Sequence, residues 1–421
     1  MATKNPRVWF KSISLENARS FGPKQTIHFT EDGAETGQAT QWNIILGENG
    51  MGKTTVLKAI CLLCGENSSD RIEPMLRNSN INIKLEGKAQ IGEEEVELGG
   101  GISVRRIFIS GTLIITSDMV NNLALLGDSF LLFAYGAARK SGGGQLEAKR
   151  PTDNLFDENS TLSSAESWLL EAELSSLKEA NSNQYETVVK VLNHLFLNEI
   201  DNIYSQQTGM KQGVQAIALT KFGEVPLSEL SLGYRTLIAW VIDFAKRLFT
   251  VFPGSPNPLA EPAVCLVDEL DLHLHPRFQQ TIISFLTETF PNTQFIVTAH
   301  SPLIVQAAED QNANIILLKR EGDHTIVVNN PVDVRNWRFD QILTSELFGL
   351  ESDRSKRVTK LRKERDKILG KQKLSKADNA RLKELDMEIG FLPFGKDQDE
   401  IQAETIIQQL AEVLRNRVGV K

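Results

Sequence analysis

Two stretches far apart in the chain carry side chains suited to phosphate chemistry. The first is GENGMGKTT, Gly47 to Thr55. It fits G-x-x-x-x-G-K-[ST] between an apolar strand, WNIIL, and a helix, the context that gives the pattern its meaning. Glycines let the backbone curl until its N–H groups face phosphate oxygens. The helix that follows adds the positive end of its dipole. On this reading Asn49, Gly50 and Gly52 line the loop, and Lys53 reaches the β- and γ-phosphates of ATP. Thr54 offers a hydroxyl to Mg²⁺, and Thr55 is a further phosphate contact.

The second stretch is AVCLVDELDLHLHP, Ala263 to Pro276. An apolar strand ends there in Asp268 and Glu269, and nucleotides sit at the carboxyl ends of strands in α/β sheets. A carboxylate at that place holds the Mg²⁺ shell, which is the expected work of Asp268. A carboxylate one residue on orients and deprotonates an attacking water, which is assigned to Glu269. Lysine and metal supply the charge stabilisation such a reaction needs. The same stretch raises a transition-metal reading, with His273, His275 and Asp271 as ligands. As a strand it would turn both histidines to one side. Pro276 and the spacing of Phe278, Ile282, Phe285 and Leu286 instead start a helix. No cysteine or third histidine lies close in sequence to complete the set. Structural or dimer-contact roles are therefore expected for the two histidines.

The elements that must position these residues follow from composition and period. The 421 residues carry a net charge of -8 with 41% hydrophobic residues, enough for a core and more than one lobe. That charge argues against a surface that coats nucleic acid or anionic membrane throughout. Three cysteines, Cys61, Cys64 and Cys265, make no secreted disulfide framework, and a cytoplasmic home is expected. Cys61 and Cys64 fall in the helix after the phosphate loop and Cys265 in the acidic strand, so core packing is expected of all three. The start of the chain has no apolar signal segment, and no stretch is apolar for long enough to span a bilayer.

The opening, RVWFKSISLENARSFGPKQTIHFT, reads as two strands around a turn at Gly22–Pro23. β-prone segments from Ile81 to Thr116 predict a small antiparallel sheet, and SFLLFAYGAAR another buried strand. Helical spacing runs from Ser163 to about Glu199, and NIILLKREGDHTIVVNN predicts a hairpin turning at Glu321–Asp323. From Leu350 the chain is highly charged. Its run DRSKRVTKLRKERDKILGKQKLSK is expected to be a solvated helix face, with a local nucleic-acid or partner contact as the minority reading.

Four further features carry a family resemblance. LSLGYR precedes an apolar helix, as the ABC signature does. DELDLHLHP resembles Walker B running into a D-loop, with GENGMGKTT as Walker A. FIVTAHSP ends a strand with a histidine, as the ABC switch does. LENARSF is similar to the first strands of RecF, Rad50 and SMC heads. The chain thus resembles ABC-type ATPases of the RecF/Rad50/SMC-like AAA group. Within it, the standalone bacterial ATPases of antiphage systems (Septu, retron-associated, PARIS) resemble it most, through FAYGAARK, NLFDENSTLSSAESWL and QILTSELFGL as well.

The resemblance implies an α/β fold: an ABC-ATPase head with a P-loop sheet, an antiparallel β subdomain, an inserted helical subdomain at about 155–205 and a C-terminal helical lobe. The head would cover 1–332 and the charged lobe 333–421. It also implies a homodimer or higher homo-oligomer, in which each ATP lies beneath the partner's signature. Ser231 and Gly233 would present a hydroxyl and N–H groups to the partner's γ-phosphate. Asp271 would couple the two sites, His300 contact the γ-phosphate, and Arg19 lie on the nucleotide's outer side. The signature departs from the common one at Leu232 and at Tyr234–Arg235. No Q-loop glutamine is evident; the region Tyr135–Arg139 takes its place more readily than Gln145.

The implied function is an ATPase of bacterial antiphage defence. It would sense DNA or a phage-derived trigger and regulate a separate effector, a nuclease, since the chain shows neither a toprim domain nor an HNH-like histidine cluster. The alternative is a RecF/Rad50-like DNA-repair ATPase that clamps DNA. A transporter motor fits less well, given the altered signature and the extra helical lobe.

Overall fold

A computed structural model describes residues 7–389 except 32, 36, 66–68, 76, 78–79, 92–93, 110–111, 122–130, 141, 143–147, 179–183, 196–199, 208–213, 336, 351, 353 and 372–373. The phosphate-loop strand, β3 (Trp42–Gly47), lies near the middle of a six-stranded sheet of order β14-β13-β3-β12-β11-β7. Its neighbours are β13 (Asn314–Glu321) and β12 (Thr293–Thr298), followed by β11 (Ala263–Val267) and β7 (Leu132–Tyr135). These five run parallel. The edge strand β14 (His324–Asn329) closes the expected hairpin antiparallel to β13, with Gly322 at φ 58° in the turn. Strands β3, β7, β11 and β12 are buried almost throughout, as parallel strands covered on both faces must be.

Strand alternation sorts the core into two clusters, one on each face. Ile45, Val264, Leu266 and Ile296 pack with Val56, Leu57 and Ile60 of α1 (Lys53–Leu63). Ile44, Leu46, Cys265, Val267 and Val297 pack with Trp240 and Phe244 of α6 (Leu232–Val251). Cys61 and Cys265 are wholly buried and Cys64 partly so, none of them in a disulfide, in line with the packing reading.

The first cluster is closed by a five-stranded antiparallel sheet, β2-β1-β4-β5-β6. It comprises β1 (Arg7–Glu16), β2 (Gln25–His28), β4 (Asn80–Ile91), β5 (Glu94–Ile109) and β6 (Thr112–Asn121). The buried Gln294 side chain joins the two sheets. Its Oε1 accepts the Phe10 N–H at 2.8 Å and its Nε2 donates to the Phe10 carbonyl at 2.9 Å.

A third sheet, β10-β9-β8, is antiparallel. Its strands are β8 (Ile200–Gln207), β9 (Val214–Thr220) and β10 (Gly223–Pro226). This corrects the helical insertion expected to run to about 205. Besides α2 (Ser69–Ile72), which follows α1, helices occupy α3 (Asp153–Phe156), α4 (Ala165–Lys178) and α5 (Gln184–Leu195), but from Ile200 the chain is a strand. After β11 come α7 (Pro276–Thr289), α8 (Pro302–Glu309) and α9 (Phe339–Thr344).

The chain divides into two compact units after Gly349, not at 333. Val334, Ile342 and Leu347 are buried in the α6-side cluster, so 333–349 belong to the first unit. The second contains α10 (Lys356–Leu369) and α11 (Lys376–Ile389). They are joined by ion pairs such as Arg381–Glu364 at 2.8 Å and Arg365–Asp386 at 2.7 Å, with Leu385 buried between them. Among the described residues no helix is long and apolar enough to cross a membrane.

One buried charge ties α6 to the central sheet. Asp243 is 1% exposed and accepts from the Tyr135 hydroxyl at 3.0 Å, Arg247 Nε at 2.7 Å and the Ser163 N–H at 3.2 Å. Truncating one member of such a network strands the others. Asp243→Ala is expected to lose about 3 kcal/mol of unfolding free energy, read as a lower urea midpoint.

Candidate functional site

The loop between β3 and α1 has the glycines its path demands. Gly52 has φ 93°, and a Cβ there would meet Ser20 Oγ at 2.4 Å and the Phe21 ring at 2.8 Å. Gly47 has φ 146°, and a Cβ would meet the Leu318 carbonyl oxygen at 2.6 Å. Lys53, at the start of α1, folds back over the loop. Its Nζ donates to the carbonyls of Gly47 at 2.7 Å and Glu48 at 3.1 Å. Burial pulls the Lys53 ammonium below its usual pKa, and the carboxylates of Asp268, Glu269 and Asp271 pull it back up. A cation aimed at a cradle of backbone groups is the arrangement a phosphate needs.

The acidic strand end meets this loop directly. Asp268 is 6% exposed, and Thr54 Oγ1 donates to its Oδ2 at 2.7 Å. Thr298, at the end of β12, donates to its Oδ1 at 2.6 Å. The same Thr298 hydroxyl accepts the Glu269 N–H at 2.7 Å. Successive residues of a strand point to opposite faces, so an extended continuation would turn Glu269 away from Asp268. Glu269 instead sits at φ 50°, in the left-handed region that costs a non-glycine residue roughly 1–2 kcal/mol. Its carbonyl accepts Arg139 Nη2 at 2.6 Å and the Leu272 N–H at 3.0 Å. With this bend both residues line one cavity.

That cavity has a volume of about 350 Å³. Of the residues singled out in the sequence, Arg19, Asn49, Gly50, Gly52, Lys53, Thr54, Thr55, Asp268, Glu269 and His300 line it, together with Ser20. Arg19 lies at φ 49° with Nε donating to the Pro74 carbonyl at 3.0 Å. Asp271 stands just behind, its two carboxylate oxygens each 3.1 Å from the His300 N–H.

Ser231 and Gly233 are not brought to this cavity. Ser231 stands at the N-cap position of α6, without a side-chain capping bond, and lines a separate cavity of about 900 Å³ beside Tyr234 and Phe278. Gly233 packs on the acidic turn so tightly that a Cβ would lie 2.3 Å from the His273 carbonyl oxygen.

His275 is the N-cap of α7, with Nδ1 accepting the Arg277 N–H at 3.3 Å, and His273 is exposed at φ 64°. Among the described residues no three or more His, Cys, Asp and Glu side chains gather to hold a metal. The donors that do converge, the Thr54 hydroxyl and the Asp268 carboxylate, are hard oxygens. They suit Mg²⁺, which is held by one or two protein oxygens plus phosphate and water. Gln145 lies outside the described residues. Thr298 and the Arg139 contact escaped sequence reading. A polar residue closing the apolar run QFIVT was the one available signal for Thr298.

Thr298→Val keeps the shape but strips Asp268 Oδ1 and the Glu269 N–H of a partner. At about 1–3 kcal/mol for each of the two stranded groups, a loss of about 2–6 kcal/mol is expected by denaturant titration, with Thr298→Ser close to the parent.

A family model described as "AAA domain, putative AbiEii toxin, Type IV TA system" matches residues 43–306. The chain is 40% identical over 121 residues to "Retron Vc95 probable ATPase" of Vibrio cholerae, covering 29% of this chain and 23% of that protein. It is 26% identical over 324 residues to "Septu protein PtuA" of Bacillus mycoides, covering 73% of this chain and 41% of that protein. The chain thus spans less than half the length of these two relatives. Among solved structures, the SMC head domain from Thermotoga maritima aligns with 77% of this chain and 100% of its own at 18% identity and a TM-score of 0.44. With well over half of its 421 residues matched and both phosphate-chemistry stretches inside the match, the chain belongs to this AAA-domain family.

Proposed function

We propose that this chain binds ATP with Mg²⁺ against the loop 47–55 and hydrolyses it, as an ABC-type head that works in pairs. The observation that carries the reading is convergence. Lys53 and Thr54 from the loop, Asp268 and Glu269 from the end of β11, and His300 from the end of β12 line one cavity. Lys53 exchanges its two carbonyl partners for charged phosphate oxygens, a stronger pairing. Thr54 and Asp268 hold Mg²⁺, which when bound neutralises charge on the transferred phosphate. Glu269 orients the attacking water and takes its proton. Asn49, Gly50, Gly52 and Thr55 line the phosphates, His300 contacts the γ-phosphate, and Arg19 bounds the nucleotide's outer side.

In the homodimer, or a larger homo-oligomer, Ser231 and Gly233 of one copy complete the site of the next, and Asp271 couples the two. Their position away from the chain's own cavity supports completion by a partner. The names of the Septu and retron relatives support a setting in antiphage defence. There the ATP cycle regulates a separate effector, a nuclease, in response to DNA or a phage-derived trigger.

Lys53→Ala removes a charge-assisted contact worth about 1.5–3 kcal/mol, and ATP affinity measured by calorimetry is expected to fall about 10–100-fold. Glu269→Gln is expected to bind ATP normally and turn it over 10²–10⁴-fold more slowly, on the order of a lost general base. It should accumulate as an ATP-bound dimer on a sizing column; near-normal turnover removes Glu269 as base.

Ser231→Arg is expected to stop hydrolysis although Lys53 and Glu269 of the same chain are intact. Mixing Ser231→Arg chains with Lys53→Ala chains then restores part of the turnover, because one composite site is whole. An unaffected Ser231→Arg rate rules out completion by a partner.

A further inference from the structure

We propose that Arg139 is the positioning residue for Glu269: its guanidinium holds the Glu269 carbonyl and so keeps that carboxylate turned into the ATP cavity. The inference rests on Glu269 being the base. Asp268 and Glu269 are consecutive, yet both line the cavity, which requires the left-handed bend at Glu269. Three groups hold the bend from outside the turn. Thr298 supplies a hydroxyl oxygen to the Glu269 N–H and a carbonyl to the Leu270 N–H at 2.9 Å. The third is Arg139, whose Nη2 lies 2.6 Å from the Glu269 carbonyl.

Arg139 is built for one place. It is 2% exposed and itself left-handed at φ 34°. Its Nε has no hydrogen-bond partner, so the side chain is not there to satisfy itself. Desolvation pulls the guanidinium down to about 10, while Asp268, Asp271 and Glu269 act to keep it charged. A buried counter-ion would be expected to bond a carboxylate. The Arg139 hydrogen bond goes instead to a backbone carbonyl, the atom that defines the bend. The segment is anchored at its other end as well, since the Tyr135 carbonyl accepts the Asp268 N–H at 2.8 Å. Residues 135–139 thus bracket the acidic pair on the side away from Thr298.

The test uses the full chain and four variants: Arg139→Ala, Arg139→Lys, Glu269→Gln and the double variant Arg139→Ala/Glu269→Gln. Single-turnover ATP hydrolysis is measured beside the affinity for a fluorescent, non-hydrolysable ATP analogue. Misplacing a base by an ångström costs on the order of 10²-fold in rate, so Arg139→Ala is expected to lose about that much, with analogue affinity changed less than about threefold. Arg139→Lys, which keeps a donor, recovers part of the rate. The double variant matches Glu269→Gln, because a base that is gone cannot be misplaced.

A double variant slower than Glu269→Gln by the full Arg139→Ala factor overturns the proposal, since Arg139 would then act independently of Glu269. Parallel loss of affinity and rate overturns it too, as a merely structural role. If Arg139→Ala does not fold, the rate-to-affinity split is read on Arg139→Lys by the same criteria. A Glu269→Gln chain that hydrolyses normally removes the base and this role with it. A dead Glu269→Gln beside an active Arg139→Ala removes this role alone.

Discussion

The site depends on the carboxylate of Asp268. A buried carboxylate must have its oxygens hydrogen-bonded, and here each oxygen takes one hydroxyl, Thr54 from α1 and Thr298 from β12. That single group therefore fixes the distance between the phosphate loop and the ends of two further strands. It can do so because β12 lies between β3 and β11 in the sheet, which brings the three carboxyl ends side by side. The register Val297↔Ile44 and Val267↔Val297 sets their heights.

Around that centre the backbone is bent at several points. Arg19, Arg139, Glu269 and His273 all have positive φ, and none is glycine. Such conformations persist when surrounding bonds over-determine them, and they cluster where side chains must be aimed. Glu269 is held by Thr298, Leu272 and Arg139. The His273 bend presents a carbonyl against which only a glycine fits, and Gly233 is there. The turn after the acidic strand is thus shaped on one side by the cavity and on the other by the start of α6.

A continuous set of contacts joins α6 to the acidic pair from below. Asp243 of α6 accepts from the Tyr135 hydroxyl, and the Tyr135 carbonyl accepts from the Asp268 N–H. Trp240 packs against the Tyr135 ring at a centroid distance of 5.6 Å. The helix that begins just after Ser231 is therefore mechanically tied to the strand end that carries Asp268. A satisfied polar network in a low-dielectric core is stiff, which suits the geometry to be held.

By itself the sequence determined the parts whose code is local. G-x-x-x-x-G-K-T between a strand and a helix, an apolar run ending in two acids, and Pro276 opening a helix are all read within a dozen residues, because backbone curl, strand burial and helix starts are set by near neighbours. Lys53, Thr54, Asp268 and Glu269 were legible for that reason, as were most strands of the two larger sheets. Strand β8 was not, because IDNIYSQQ lacks clear alternation and is stabilised by pairing with β9. Nor was the boundary after Gly349, which depends on Val334, Ile342 and Leu347 reaching a core formed elsewhere. The tertiary structure alone decided that Thr298 bridges Asp268 and Glu269 and that Arg139 grips a carbonyl 130 positions away. Those bonds exist because the sheet places non-consecutive strands side by side, and strand order leaves no periodic trace in the chain.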